Sequence, residues 1–437
     1  MNPTRTTRAI KPSIAQGIVR TILATFALSF SSALASPAQD LFDQALYYLT
    51  FYYNGFSAVN LKNFESKYQT QLDTACQGKA ETCAYDVAVK VIEAMILEIG
   101  DEHTYLVSAE DQQDILTTRS GEAESQVGTS MGFFPSPIST ANSTDLRVAE
   151  VLEGSGAEEA GLLRGDRVVA LNGQPLSRDG NQARDAFLQL DGSGRAVRLS
   201  VVRGVNERLE LTVQSRRFEF TGLPWMNISA GVARIVIPDF DIFGKIGPKL
   251  HQLVNRAQQA GVKAIVVDVR DNPGGVATEC LSGVSAFVPD VTRVREARYD
   301  RLVVGYRNGV IFSRDAQDRE TTTYEVPRPA KWTGKLSVLV NRESASCAEL
   351  FASDVQFAKR GPVVGERTYG LGNTGALGFN LINGFGLYVT VSRTYRLDGT
   401  PYPDRVTPDV FVRDNYDAFI RTGRDEVFER ALEVMGN

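Results

Sequence analysis

GVARIVIPDF (residues 231–240), KLHQLVNRAQQAG (249–261), AIVVDVR (264–270), KLSVLVN (335–341) and CAELFASDVQFAKR (347–360) follow one another in the C-terminal half of the chain. The first, third and fourth are short apolar runs rich in Val and Ile, as strands require, while the second and fifth repeat their apolar residues at helical spacing. Strand and helix in alternation predict an α/β core domain, here residues 217–437.

Upstream the pattern changes twice. Residues 126–216 hold short alternating segments such as DLRVAEVL and AVRLSVVR, punctuated by Gly and Ser, which predict a compact β-rich module. In residues 36–125, LFDQALYYLTFYY and AYDVAVKVIEAMILEIG carry apolar residues at helical spacing, and an N-terminal helical region is expected. Residues 1–35 resemble a secretory signal peptide: Arg5, Arg8, Lys11 and Arg20 without an acid, an apolar run from Thr21 to Phe30, and small Ala33 and Ala35 where a signal peptidase cuts. Export to the periplasm or the extracellular medium is therefore expected, with no stable membrane span after cleavage.

Composition excludes several classes. With 437 residues, 43% hydrophobic and 23% charged, the chain is globular in character and long enough for two or three domains. A net charge of -5 gives no phosphate-neutralising surface, so nucleic acid is not an expected partner. Four Cys without a CxxC pair do not suggest structural zinc, and neither metal nor cofactor is expected. In an oxidising compartment Cys76 and Cys83, close in sequence, are a candidate disulfide, and whether Cys280 pairs with Cys347 stays open.

The β-rich module resembles a PDZ domain. Gly154 to Leu162, then Arg164-Gly165-Asp166-Arg167-Val168, then Leu171-Asn172-Gly173 follow that family's order of helix, GD turn and strand ending in NG. Met131-Gly132-Phe133-Phe134 stands where a PDZ carboxylate-binding loop belongs, Gly132 allowing successive N–H groups to converge on an anion. The resemblance implies that a peptide tail adds as a strand beside it. Core packing of Met131, Phe133 and Phe134 is the plainer alternative.

Two segments of the core domain can carry acyl-transfer chemistry. Asp271-Asn272-Pro273-Gly274-Gly275 ends an apolar strand before a helix, where backbone N–H groups can be aimed at a developing oxyanion. Ser344-Ala345-Ser346-Cys347 follows the strand ending at Val340 and opens a helix, so a serine there is either a helix cap or an exposed nucleophile with the Cys347 N–H as second donor.

Together with Val363 to Gly372, these segments resemble the carboxyl-terminal processing (tail-specific) proteases of peptidase family S41, over about residue 41 to the C-terminus. The resemblance places Ser346 on the nucleophile and Gly274 or Gly275 on the oxyanion-hole glycine. The general-base lysine of such proteases falls at Leu371, which cannot accept a proton. A second branch, similar to the tricorn core protease and the chlamydial secreted protease, uses histidine in a DxHT-like segment, and Asp101-Glu102-His103-Thr104 supplies it. Imidazole titrates near the operating pH, which suits His103 to take and return the serine proton. The acid expected to orient it is Asp404, with Asp409 the rival. His251, beside Gln252 rather than on the apolar stripe, is expected to be solvated. The resemblance thus implies a secreted serine endopeptidase acting on C-terminal tails of protein or peptide substrates. The alternative is an inactive peptide- or apolar-ligand-binding protein on the same fold. Oligomeric state is not legible.

Overall fold

The computed structural model describes residues 36–79, 81–120, 127–139, 144–152, 154–219 and 222–436, so the signal-peptide reading lies outside the described residues. The alternating segments form a six-stranded sheet in the order 225–229, 232–236, 264–268, 335–340, 363–365 and 410–411. Its first pair is antiparallel and the remaining pairs are parallel. The strand Ala264–Asp268 is buried at every position, which is why it reads as an unbroken apolar run. The helices Ile246–Gln259, Ala277–Ser285 and Cys347–Phe357 share one core with this sheet, built on Ile235, Leu250, Val267, Val284, Val338 and Phe351. The C-terminal helix Glu426–Val434 seals the opposite face through Val427 and Ala431 against Val266 and Leu339.

A second sheet runs 105–107, 386–395, 292–297, 301–307, 310–314 and 320–325, with 374–380 also paired to 386–395. Against it pack the helices Pro37–Tyr52, Phe64–Ala75 and Tyr85–Ile99, whose buried stripe (Leu41, Phe42, Leu49, Ile92, Met95) meets Leu387 and Val389. The structure joins Cys76 to Cys83 in a disulfide and leaves Cys280 and Cys347 reduced and buried. No helix among the described residues is long and apolar enough to cross a membrane.

The β-rich module has its own sheet, 133–139, 144–151, 167–171, 196–203 and 207–214 in that neighbour order, and its own core around Phe133, Leu146, Phe187 and Leu199. The segments entering and leaving it, Val127–Ser130 and Arg216–Glu219, pair antiparallel as a two-stranded stalk. The module also docks on the core domain by charge. Arg147 donates to Asp271 at 2.8 Å, and Arg164 donates to Asp414 at 2.9 Å. Both arginines lie within cation–π distance of the Tyr416 ring, 4.5 Å from its centroid.

His251 is not solvated. Nδ1 accepts the Ala330 N–H at 2.8 Å, which places the proton on Nε2, 3.0 Å from the Ser282 carbonyl. Its helix packs on the sheet and on the helix Ala277–Ser285 at once, so the flank that sequence periodicity marks as polar is also covered. Burial holds the imidazole neutral, its pKa pushed down to about 4.

Candidate active site

His103 reaches the site from the end of the helix Tyr85–Ile99, which stops at Gly100 in a left-handed cap. Asp101 then pins the turn: Oδ1 accepts the His103 N–H at 3.0 Å and the Thr390 hydroxyl at 3.1 Å, and Oδ2 accepts the Tyr53 hydroxyl at 2.8 Å. Two residues on, the strand Tyr105–Val107 pairs with 386–395, which fixes the imidazole over the edge of the second sheet.

Ser346 comes from the other side of the cleft, immediately before the helix Cys347–Phe357. Its backbone is held at φ 50° and ψ -109°, a conformation that L-residues rarely adopt and that marks a strained strand-to-helix turn. Glu349, one helical turn on, keeps the turn in place. Its carboxylate accepts the N–H groups of Ser346 (2.8 Å), Gly370 (2.9 Å) and Leu371 (2.7 Å) and the Thr368 hydroxyl at 2.5 Å. Burial pushes its pKa up to about 7 while those four donors pull it down.

The two side chains meet, with His103 Nε2 3.1 Å from Ser346 Oγ. The other ring nitrogen, Nδ1, lies 2.8 Å from Thr374 Oγ1. That contact corrects the expectation for the acid. Asp404 is exposed, its Oδ1 accepting the Arg405 N–H at 2.8 Å, and Asp409 accepts the Val363 N–H at 2.8 Å. The Asp404 segment reaches the site through its main chain, the Asp404 carbonyl accepting the Gly372 N–H at 2.9 Å, while its carboxylate turns to solvent. A neutral hydroxyl therefore occupies the place expected for a carboxylate. Desolvation, opposed by Asp101 and assisted by Arg295, holds the His103 pKa down at about 4.

The glycine pair divides its labour. Asn272 Oδ1 takes the Gly274 N–H at 2.8 Å, so that group is not a free oxyanion donor. Gly274 instead permits close approach: at φ 108°, an added Cβ would stand 2.7 Å from Ser346 Cβ. The N–H groups of Gly275 and Cys347 have no acceptor among the described residues; Cys347 follows Ser346 in the chain, and Gly275 follows Gly274, which packs against Ser346, so both can serve as oxyanion donors. Asp271, next to this loop, is gripped by Arg147, by Tyr416 Oη at 3.0 Å and by Asn341 Nδ2 at 3.1 Å.

The loop of the β-rich module departs from expectation. Asp191 Oδ1 accepts the Met131 N–H at 2.7 Å and lies 3.1 Å from Ser130 Oγ, which itself accepts the Gly132 N–H at 2.9 Å. Met131 and Phe133 are buried core residues, the latter edge-on to Phe187 at 4.9 Å. The loop donors assigned to a peptide carboxylate are thus already satisfied inside the chain at Met131 and Gly132.

The sequence reading missed Thr374, Arg295, Glu349 and Asp191 as parts of these sites. The only sequence signal for Glu349 was its position three residues after a serine opening a helix.

Known proteins resemble this chain in both of its C-terminal modules. A model of peptidase family S41 matches residues 231–412, the span holding Ser346, Gly275 and Cys347, and a PDZ-domain model matches residues 147–203. The C-terminal half of the chain is thus similar to the peptidases of family S41. A carboxyl-terminal-processing protease of Synechocystis sp. is 28% identical over 313 residues, covering 69% of this chain and 65% of that protein. The tail-specific protease of Haemophilus influenzae is 24% identical over 338 residues, covering 72% of this chain and 44% of that protein. The chain thus spans about half to two thirds of the length of these curated relatives. Among solved structures, a photosystem II D1 C-terminal processing protease shares the fold at a TM-score of 0.54 and 20% identity, over 92% of this chain and 98% of that one.

Proposed function

We propose that the chain is an exported serine endopeptidase that hydrolyses protein or peptide substrates through an acyl-enzyme. The observation carrying this reading is the 3.1 Å approach of His103 Nε2 to Ser346 Oγ beside two unengaged backbone N–H groups. Ser346 Oγ attacks the scissile carbonyl as Nε2 takes its proton, and the carbonyl oxygen gathers charge against the Gly275 and Cys347 N–H groups. Nδ1 donates to Thr374 Oγ1 throughout, which keeps the tautomer with Nε2 as acceptor. The imidazolium then returns the proton to the leaving amine, and water repeats the sequence on the acyl-enzyme. Leu371 takes no part except through its N–H to Glu349.

The relatives are named for processing carboxyl termini and tails, and we carry that class of substrate to this chain. The decisive comparison is cleavage of an unfolded protein with an apolar C-terminal tail by wild type and by Ser346→Ala, His103→Ala and Leu371→Ala. Loss in the first two variants alone supports the reading. Equal turnover in wild type and Ser346→Ala refutes the nucleophile. Absent turnover with tail binding retained moves the chain to the binding-protein alternative that Leu371 motivates.

A further inference from the structure

Two features of the PDZ module oppose the reading of a peptide tail. The first is in the loop before its outer strand. Asp191 ends the helix Gly180–Asp191, where the helix dipole disfavours an anion, yet its Oδ1 accepts the Met131 N–H at 2.7 Å and the Ser130 hydroxyl at 3.1 Å. The module thus sets its own carboxylate where an incoming tail would set one, and a second would meet satisfied donors and a like charge. The other feature is in the strand itself. Phe133–Ser139 stands at the end of its sheet, the edge to which a peptide would add. Proline stays in a strand only where its nitrogen faces away from the paired neighbour, so Pro135 and Pro137 both turn toward the free edge and offer an added strand no N–H.

What the module does hold is the core domain. Arg147, on the strand Thr144–Val151, has Nη2 2.8 Å from Asp271 Oδ1 and 3.8 Å from Glu343 Oε1. These carboxylates belong to the two segments that build the active site, Asp271 opening the oxyanion loop and Glu343 leading into the Ser346 turn. Asp271 needs to be held: at φ 59° it lies in the left-handed region, where a residue with a side chain persists only if its surroundings fix it. Its neighbour Asn272 ties the two segments together. Asn272 Oδ1 accepts the Gly274 N–H at 2.8 Å, and its carbonyl accepts the N–H of Ala345, one residue before the nucleophile, at 2.9 Å. A displaced Asp271 would therefore move the oxyanion loop against Ser346.

We propose that the PDZ module is a fixed brace of the active site, holding the oxyanion loop through Arg147, and that its peptide groove is closed. Arg147 is a positioning residue. This deepens the peptidase reading and rests on it: the enzyme works without a tail bound to the module.

One experiment tests the groove. An apolar free-acid peptide is added in millimolar excess to the full chain carrying Ser346→Ala, and amide hydrogen exchange is followed by mass spectrometry. No added protection is expected over residues 131–139, and the same peptide should not speed fluorophosphonate labelling of wild type. Protection there, or faster labelling, overturns the closed groove.

A second tests the brace. Arg147→Met should lower kcat for a short blocked peptide by about tenfold to a hundredfold with KM unchanged, as for loss of a charge-assisted hydrogen bond, and Arg147→Lys should recover part of the loss. Glu150→Gln weakens a different contact between module and core, 3.2 Å to Arg234 Nη2, and is expected to leave kcat unchanged. Melting curves show which variants are folded in the assay. Wild-type kcat in Arg147→Met overturns the brace, and so does an equal loss in Glu150→Gln. If Arg147→Met does not fold, a lowered kcat in folded Arg147→Lys supports the brace and a wild-type kcat there overturns it. Labelling of Ser346 separates the levels of failure. Unlabelled wild type refutes the peptidase reading itself, while labelled wild type with either result above refutes only the role given to the module.

Discussion

The acid limb of the activity profile follows from how His103 is buried. An imidazole in water titrates near 6.5, and here desolvation carries it down to about 4. Asp101 opposes that shift, Arg295 adds to it, and the ring nitrogen facing inward finds a hydroxyl, not a carboxylate. The displacement corresponds to roughly 3 kcal/mol favouring neutral imidazole in the folded protein. A general base works only when neutral, so kcat/KM for a short peptide should stay level from pH 8 to below 6 and fall with a midpoint near 4. Stability also falls with acid, and begins to do so at a higher pH than activity. The unfolded chain takes up protons at His103 and His251 as pH falls through 6.5, while the folded chain does so only near 4. Stability is thus complete above about 6.5 and declines between there and 4, by up to roughly 3 kcal/mol for each ring. Initial rates must therefore be read on protein shown to be folded by its melting temperature at each pH. An acid limb at 6 to 7 in folded protein would refute the claim that burial and Thr374 set the base.

Thr374→Val should lower kcat by about tenfold with little change in KM, because Nδ1 loses its one acceptor. Steady-state kinetics with a melting curve would check it. Gly274→Ala should abolish fluorophosphonate labelling, since its φ of 108° and the 2.7 Å approach to Ser346 Cβ leave no room for a methyl group. Mass spectrometry of the labelled chain reads this directly. Arg147→Met removes a nearly buried partner of Asp271, and a destabilisation of about 3 kcal/mol is expected together with slower labelling, because Asp271 adjoins the oxyanion loop. Denaturant unfolding and a labelling time course measure the two effects. Glu349→Gln replaces an acceptor of four hydrogen bonds by a group with one acceptor oxygen, and should slow labelling at least tenfold while PDZ-domain contacts persist.

Much of the fold was legible because its signals are local. Val- and Ile-rich runs alternating with helical stripes announce buried parallel strands and their covering helices, and the PDZ pattern lies within about forty residues. The segments holding His103 and Ser346 were legible for the same reason, each being a polar turn at the end of a regular element. Thr374 was not. It reaches His103 because its strand pairs with 386–395 through Thr374 and Arg393, while the strand after His103 pairs with the same segment through Tyr105 and Tyr388. That double pairing is long-range and leaves no mark in a short window of sequence. Asp404 was misread for a related reason: a loop can approach a site with its main chain and turn its side chain to water. His251 shows the limit of helical periodicity, which marks the face toward one neighbour and misses a second. Asp191 lies sixty residues from the loop whose N–H it fills, and only the closed module brings them together.

The central claim is that Ser346 is a nucleophile activated by His103. It is tested most directly by the rate of fluorophosphonate labelling, with the site located by mass spectrometry, in wild type and His103→Ala. The account predicts a single adduct on Ser346 that forms at least a hundredfold more slowly in His103→Ala. An adduct elsewhere, or equal rates in the two proteins, would contradict it.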